Sequence, residues 1–332
     1  MTTPRDIFDT ILLLALPASG KSEVRKFLAS FDGPACREHF RMGETVQLDD
    51  YPYVHLMRCV DDALHDSGAE RVFFVAPDAG FADPRDWGTL IELINEDFAD
   101  LHSGGTRPDG PAAEWLIARL DRARSAVGAS PLGARLSRKE HKAIAEKIEG
   151  EAAALVRDKW AAIPKSLDDR TAVIEFARGG AQGSAMPLAS PFGYGYSLGR
   201  LSDDILARAA ILYIWVTPEQ SRAKNENRAD PDDPGSILHH GVPLRVMLGD
   251  YGCDDMEHLL GAAGDGTSVR VTAAASGLTY RVPTARLDNR ADLTTFSRAD
   301  RSAWDPAQST ALRDALATAF QTLWRSGSGN LQ

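Results

Sequence analysis

Residues Ile11 to Leu16 form an unbroken apolar run that stops at Pro17 and Gly20. A short continuous run bounded by turn residues is the pattern of a strand buried on both faces of a parallel sheet. The spacing then becomes helical, with Val24, Phe27 and Leu28 on one face and Asp32-Gly33-Pro34 as the stop. Thr45–Leu48 predicts a second strand that ends at Asp49-Asp50-Tyr51-Pro52, followed by a helix over Tyr53–His65 with Leu56, Val60 and Leu64 inward. Arg71–Ala76 predicts a further strand. Helices are then expected over Trp87–Leu101, Glu114–Val127 and Ser137–Ala162 with no strand between them, so residues 78–165 read as a helical insertion.

Strand-like sequence returns at Thr171–Phe176, stopped by Arg178-Gly179-Gly180, and at Ala210–Val216, stopped by Thr217-Pro218. Between them Pro187–Gly199, rich in Gly, Pro, Ser and Tyr, is expected to be a loop. Thr217 is the expected N-cap of a helix with Pro218 at its first position, ending near Arg228 because Asp230–Gly235 cannot continue it. Val269–Val271 and Tyr280–Leu287 predict late strands, Pro306–Trp324 a closing amphipathic helix, and 326–332 a flexible tail. Alternating strands and helices predict one α/β domain over 1–332 with a parallel sheet, the insertion at 78–165 and a lid over 222–262.

The chain of 332 residues carries 37 Lys+Arg against 47 Asp+Glu, a net charge of −10. That excess argues against a broad basic face for nucleic acid or anionic membrane. The apolar run at Ile11–Leu16 is far shorter than the roughly 20 residues of a membrane helix. Asp6 and Asp9 put negative charge where a signal peptide needs positive charge. Cys36, Cys59 and Cys253 are far apart and free of CxxC spacing, which fits a reducing cytoplasm better than a disulfide framework or a zinc site.

Candidate chemistry concentrates at Ala15-Leu16-Pro17-Ala18-Ser19-Gly20-Lys21-Ser22, between the first strand and the first helix. A tight loop there turns backbone N–H groups outward, and the helix N-terminus adds partial positive charge. Gly20 allows close approach, Lys21 supplies a cation and Ser22 a hydroxyl. The octet resembles the phosphate-binding loop of P-loop nucleotide hydrolases and kinases, GxxxxGK[ST], with Ala15 in place of the first glycine. The resemblance implies a three-layer α/β/α fold. It also implies ATP on Ala15, Pro17, Ala18, Ser19, Gly20, Lys21 and Ser22, with Mg²⁺ on Ser22.

Further segments point the same way. Glu175, at the end of TAVIEF, resembles the strand-end glutamate of the uridine-kinase-like branch and is the second candidate Mg²⁺ ligand. A surface acid just past a strand is the plainer reading. Asp49-Asp50-Tyr51 resembles the DD[FY] turn of uridine kinase and nicotinamide riboside kinase relatives, where an Asp faces the acceptor hydroxyl and can take its proton. An Asx turn ahead of a helix explains the pair as well. The helix after Thr217 carries Arg222, Lys224 and Arg228 and resembles the lid arginines of adenylate-kinase-like enzymes, with Arg222 and Arg228 facing the transferring phosphoryl group. Asn289 and Arg290 stand where such kinases line the adenine pocket.

Other patterns fail. Asp230–Gly241 has Pro234 and a final Gly241 where a calcium loop needs ligands, and the adjacent His239-His240 lacks a third ligand. No HExxH, GxSxG or NKxD occurs, and Phe192–Tyr196 reads as a flexible loop. The expectation is therefore an ATP- and Mg²⁺-dependent phosphotransferase acting on a small polar metabolite, such as a nucleoside or nucleotide. The alternative is a regulatory ATPase switch signalling through residues 85–165.

Overall fold

The computed structural model describes residues 6–227 and 241–328. The strands are β1 (Thr10–Leu14), β2 (Glu44–Asp49), β3 (Arg170–Phe176), β4 (Ala209–Trp215), β5 (Ser268–Thr272) and β6 (Thr279–Asp288). The helices are α1 (Lys21–Leu28), α2 (Gly33–Phe40), α3 (Tyr51–Asp66), α4 (Asp86–Ser103), α5 (Ala112–Ala126) and α6 (Arg138–Ala162), then α7 (Gly193–Arg200), α8 (Asp203–Leu206), α9 (Pro218–Glu226), α10 (Leu244–Gly249), α11 (Met256–Ala263) and α12 (Pro306–Ser328). Among the described residues no helix is long and apolar enough to cross a membrane.

One six-stranded sheet runs β2-β3-β1-β4-β6-β5, parallel except for β5 against β6. Every residue of β1 is buried because the two sides of its pleat enter different cores. Leu12 and Leu14 pack with Ile174, Ile211 and the apolar faces of α4 and α7. Ile11 and Leu13 pack with Val24 and Phe27 of α1, Phe40 of α2 and Leu316 and Phe320 of α12. Helices therefore cover both faces of the sheet.

Helices α4, α5 and α6 of the predicted insertion form a third apolar core together with α3. Helix α4 serves this core and one of the two sheet cores. Leu90 and Leu93 enter the helical one, while Ile91, Ile94, Phe98 and Leu101 face the sheet. A buried polar clamp ties the four helices together: Arg119 of α5 donates to Tyr53 Oη of α3 (2.9 Å) and to Asp97 of α4 (2.8 Å), and Lys159 of α6 also donates to Asp97 (2.6 Å).

Four expectations change. Arg71–Ala76 is not a strand of the sheet. The Asp61 carboxylate accepts the N–H groups of Val72, Phe73 and Phe74, occupying the donors a ladder would need, and only a bridge from Phe74 to Phe81 remains. The second part of Pro187–Gly199 is helix α7, started by the distant Asp255, whose carboxylate accepts from Tyr194 N (2.6 Å) and Gly195 N (3.0 Å). No local residue caps it, so the sequence window held no start signal. Within 222–262, α11 packs on β5 and α7, and Met256 is fully buried in the sheet core, so this part belongs to the body of the domain. Helix α12 extends past Trp324 to Ser328.

Candidate functional site

Strand order reverses beside β1, with β3 and β2 on one side and β4 and β6 on the other. In open α/β sheets the crevice outside the carboxyl ends at such a point receives ligands. A cavity of about 530 Å³ opens there, lined by residues 17–23, Asp49, Asp50, Glu175 and a wall from α3, the 74–81 segment and α10.

The 15–22 loop joins β1 to α1. Ala18 (φ 54°) and Gly20 (φ 110°) have left-handed backbone conformations, which curl the chain between strand and helix. A Cβ on Gly20 would lie 2.6 Å from Thr294 Oγ1 and 2.7 Å from Asn289 Nδ2, so the glycine is required by the protein's own packing. Asn289 Nδ2 donates to the Ser19 carbonyl (2.8 Å), and Ser221 Oγ of α9 donates to the Pro17 carbonyl (2.7 Å). These bonds hold the loop from outside. The N–H groups of Ala18, Ser19 and Gly20 donate to no acceptor among the described residues. Lys21 Nζ bends back to the Ala15 carbonyl (3.1 Å), and the Lys21 and Ser22 side chains both line the cavity.

Parallel pairing of β2 with β3 sets Asp49 level with Glu175 and on the same face of the sheet. Arg25, one helical turn after Lys21 on α1, reaches both: its Nη1 is 3.0 Å from Glu175 Oε2 and 3.9 Å from Asp49 Oδ2, and it donates to Gln47 Oε1 (3.0 Å). The contact with Glu175 lacks hydrogen-bond alignment, leaving the buried Oε2 atom without a hydrogen bond. Asp49 accepts from Tyr51 N (2.8 Å). Burial, reinforced by the nearby Glu175 and Asp50 charges, pushes the Asp49 carboxyl up to about 7.

Asp50 behaves differently from its neighbour. It is only 8% exposed and pairs with Arg178 at 2.6 Å. Arg178, itself 2% exposed, also donates to Ser197 Oγ (3.0 Å) and the Ala177 carbonyl (2.6 Å), and lies against the rings of Trp87 and Phe176. Both acids of the DDY turn line the cavity, but Asp50 is held by a buried arginine, whereas Asp49 meets Arg25 only at 3.9 Å.

Other sequence candidates fall outside the cavity. Asn289 is fully buried, its amide spent on Ser19 and Thr294, so it anchors the loop and does not line an adenine pocket. Arg290 lies over the Trp215 ring and pairs with Asp288 (2.7 Å). Arg222 pairs with Glu219 (3.1 Å) and lines a smaller neighbouring cavity of about 200 Å³, and Lys224 pairs with Asp292 (2.8 Å). Arg228, the Asp230–Gly235 segment and His239-His240 lie outside the described residues. Sequence reasoning missed Arg25, Arg178, Arg58 and Asp250. The spacing of four from Lys21 to Arg25 is a legible helical signal. Arg178, Arg58 and Asp250 carry no pattern that singles them out.

The arrangement can bind an anion at the loop, place hard oxygen donors beside it and accept a proton on Asp49. No known family model matches the chain, nor does any curated protein or solved structure, so the reading of this site rests on its residues and geometry.

Proposed function

We propose that the protein is an ATP-dependent phosphotransferase with the P-loop form of the three-layer α/β/α fold, acting on a small polar acceptor. The observation that carries this reading is the meeting, in one cavity, of the uncommitted N–H groups of Ala18–Gly20, Lys21, Ser22 and the Asp49/Glu175 pair. A helix N-terminus with open N–H groups and a nearby cation favours a polyphosphate over an apolar ligand.

Ser22 and Glu175 would hold Mg²⁺. The donor set fits, because both are hard oxygen ligands and Mg²⁺ is commonly held by one or two side chains together with substrate phosphates. Glu175 Oε2 lacks a hydrogen bond, although it lies 3.0 Å from Arg25 Nη1, and so retains acceptor capacity for such an ion. When bound, the ion would neutralise charge on the β- and γ-phosphates.

The protein's own residues supply the rest. Lys21 moves from the Ala15 carbonyl to the phosphates, and Arg25 screens the paired carboxylates. Asp49 accepts the proton of the acceptor hydroxyl as the oxygen–phosphorus bond to the acceptor forms and the bond to the departing ADP oxygen breaks. A carboxyl titrating at about 7 is matched to that task near neutral pH. Arg178 keeps Asp50 occupied, which assigns the base role to Asp49.

Binding of ATP·Mg and ADP release across nucleosides, sugars and amino alcohols test the reading. Lys21→Ala is expected to lower ATP·Mg affinity by about 100-fold, on the order of 3 kcal/mol. Equal affinity in wild type and variant overturns the nucleotide site, and turnover that no acceptor accelerates favours the ATPase switch.

A further inference from the structure

The wall opposite the loop has its own chemistry. Phe74 and Phe81 stack at 4.8 Å, Phe81 meets Trp87 edge-on at 4.8 Å, and Trp87 meets Tyr251 at 5.7 Å. The Asp250 side chain lines the same cavity as this aromatic wall, packed so closely on the 74–81 segment that a Cβ on Gly80 would collide with its Oδ2 atom. Neither the Asp250 carboxylate nor the Tyr251 hydroxyl has a hydrogen-bond or ion-pair partner among the described residues. Burial alone pushes the Asp250 carboxyl up to about 6.

Among the described residues, three arginines near this wall are committed elsewhere. Arg58 donates to the Pro77 carbonyl (2.6 Å) and lies 4.0 Å over the Phe74 ring. Arg245 pairs with Asp78 (3.2 Å), and Arg178 pairs with Asp50 (2.6 Å). A half-buried carboxylate beside aromatic rings, with no counter-charge among the described residues, is costly unless a ligand brings one. The same rings favour a flat, apolar body and stabilise a cation at their faces.

We propose that Asp250 is the anchor for a protonated amine, and that the acceptor is a ring-bearing amino alcohol whose hydroxyl reaches Asp49. The acceptor identity rests on the phosphotransferase reading, while the amine site stands on the wall itself. The ring lies along Phe81, Trp87 and Tyr251, the Tyr251 hydroxyl adds a second polar contact, and the amine pairs with Asp250.

The test is calorimetric titration at pH 8, where Asp250 is ionised, with 2-amino-1-phenylethanol and its deamino counterpart 1-phenylethanol. Wild type should bind the amine at least tenfold more tightly, and the isosteric Asp250→Asn variant should lose that preference while still binding ATP·Mg. Equal binding of the two probes to wild type, or an undiminished preference in Asp250→Asn, overturns the proposal. ATP·Mg titrated into the same samples separates the two readings. An amine preference without ATP binding supports the amine site and overturns the phosphotransferase, whereas ATP binding without the preference overturns the amine site alone.

Discussion

In the 15–22 loop, contiguous residues between β1 and α1 supply N–H groups, a cation and a hydroxyl, and Asn289 and Ser221 merely hold the backbone in place. The opposite wall has no such local origin: Arg58, Phe74, Trp87 and Asp250 come from separate segments, brought together by the helical core and by Arg178. The loop depends on backbone shape, so its weak point is a backbone atom that must stay small. The wall depends on buried charge, so its weak point is a counter-ion.

The largest expected effect falls on the wall. Arg178→Met leaves Asp50 as an uncompensated buried charge, and breaking such a pair costs about 3–5 kcal/mol. Urea unfolding should register this loss, and adding Asp50→Asn to the variant should recover most of it. A cost under about 1 kcal/mol would mean that the wall does not depend on this ion pair.

Next comes the loop. Gly20→Ala must take a side chain at φ 110° and push against Thr294 and Asn289, so a loss of about 2 kcal/mol is expected, with weaker ATP·Mg binding. Full stability and full binding in this variant would show that the loop tolerates a different curl.

A smaller effect, with a pH signature, belongs to Asp49. Its folded carboxyl titrates near 7, above the ordinary carboxylate value of about 4, so the folded state holds the proton more tightly than the unfolded chain. That stabilisation is complete below about pH 4 and is lost as pH rises through 7. Asp250 and Asp254, each pushed up to about 6 mainly by burial, act in the same direction. Asp49→Asn should therefore match wild type at pH 4 and exceed it by ~1 kcal/mol at pH 8, a figure already reduced for the solvent-open part of the side chain. Turnover should nevertheless fall, because an amide cannot accept the hydroxyl proton. A variant less stable than wild type at pH 8 would reverse the assigned direction of the shift.

Arg222→Ala should do least. Its pairing with Glu219 is a partly exposed contact within one helix turn, worth less than about 0.5 kcal/mol, and its cavity is the neighbouring one. A fall of about 100-fold in turnover would return Arg222 to the phosphoryl group, since that loss equals roughly 3 kcal/mol of transition-state stabilisation.

Much of the fold was legible because its signals are local. The β1 run, the Thr217 cap with Pro218, and the α4 to α6 periodicities read correctly from neighbouring residues. The misreadings share one cause. Arg71–Ala76 has strand-like apolar residues, but Asp61 takes its N–H groups, and α7 lacked a local cap because Asp255 supplies it from far along the chain. Asn289 stood at a plausible pocket position, yet the fold spends its amide on the loop.

By itself, the sequence determined the alternation of strands and helices and the contents of the 15–22 loop, since both depend on residues within a few turns of one another. Only the tertiary structure decided which of Asp49 and Asp50 is tied to a buried arginine, that Arg25 and Arg178 are their partners, and that Asp250 lines the aromatic side of the cavity with no partner among the described residues. Those outcomes depend on burial and on charges meeting across elements, and linear spacing carries no record of either.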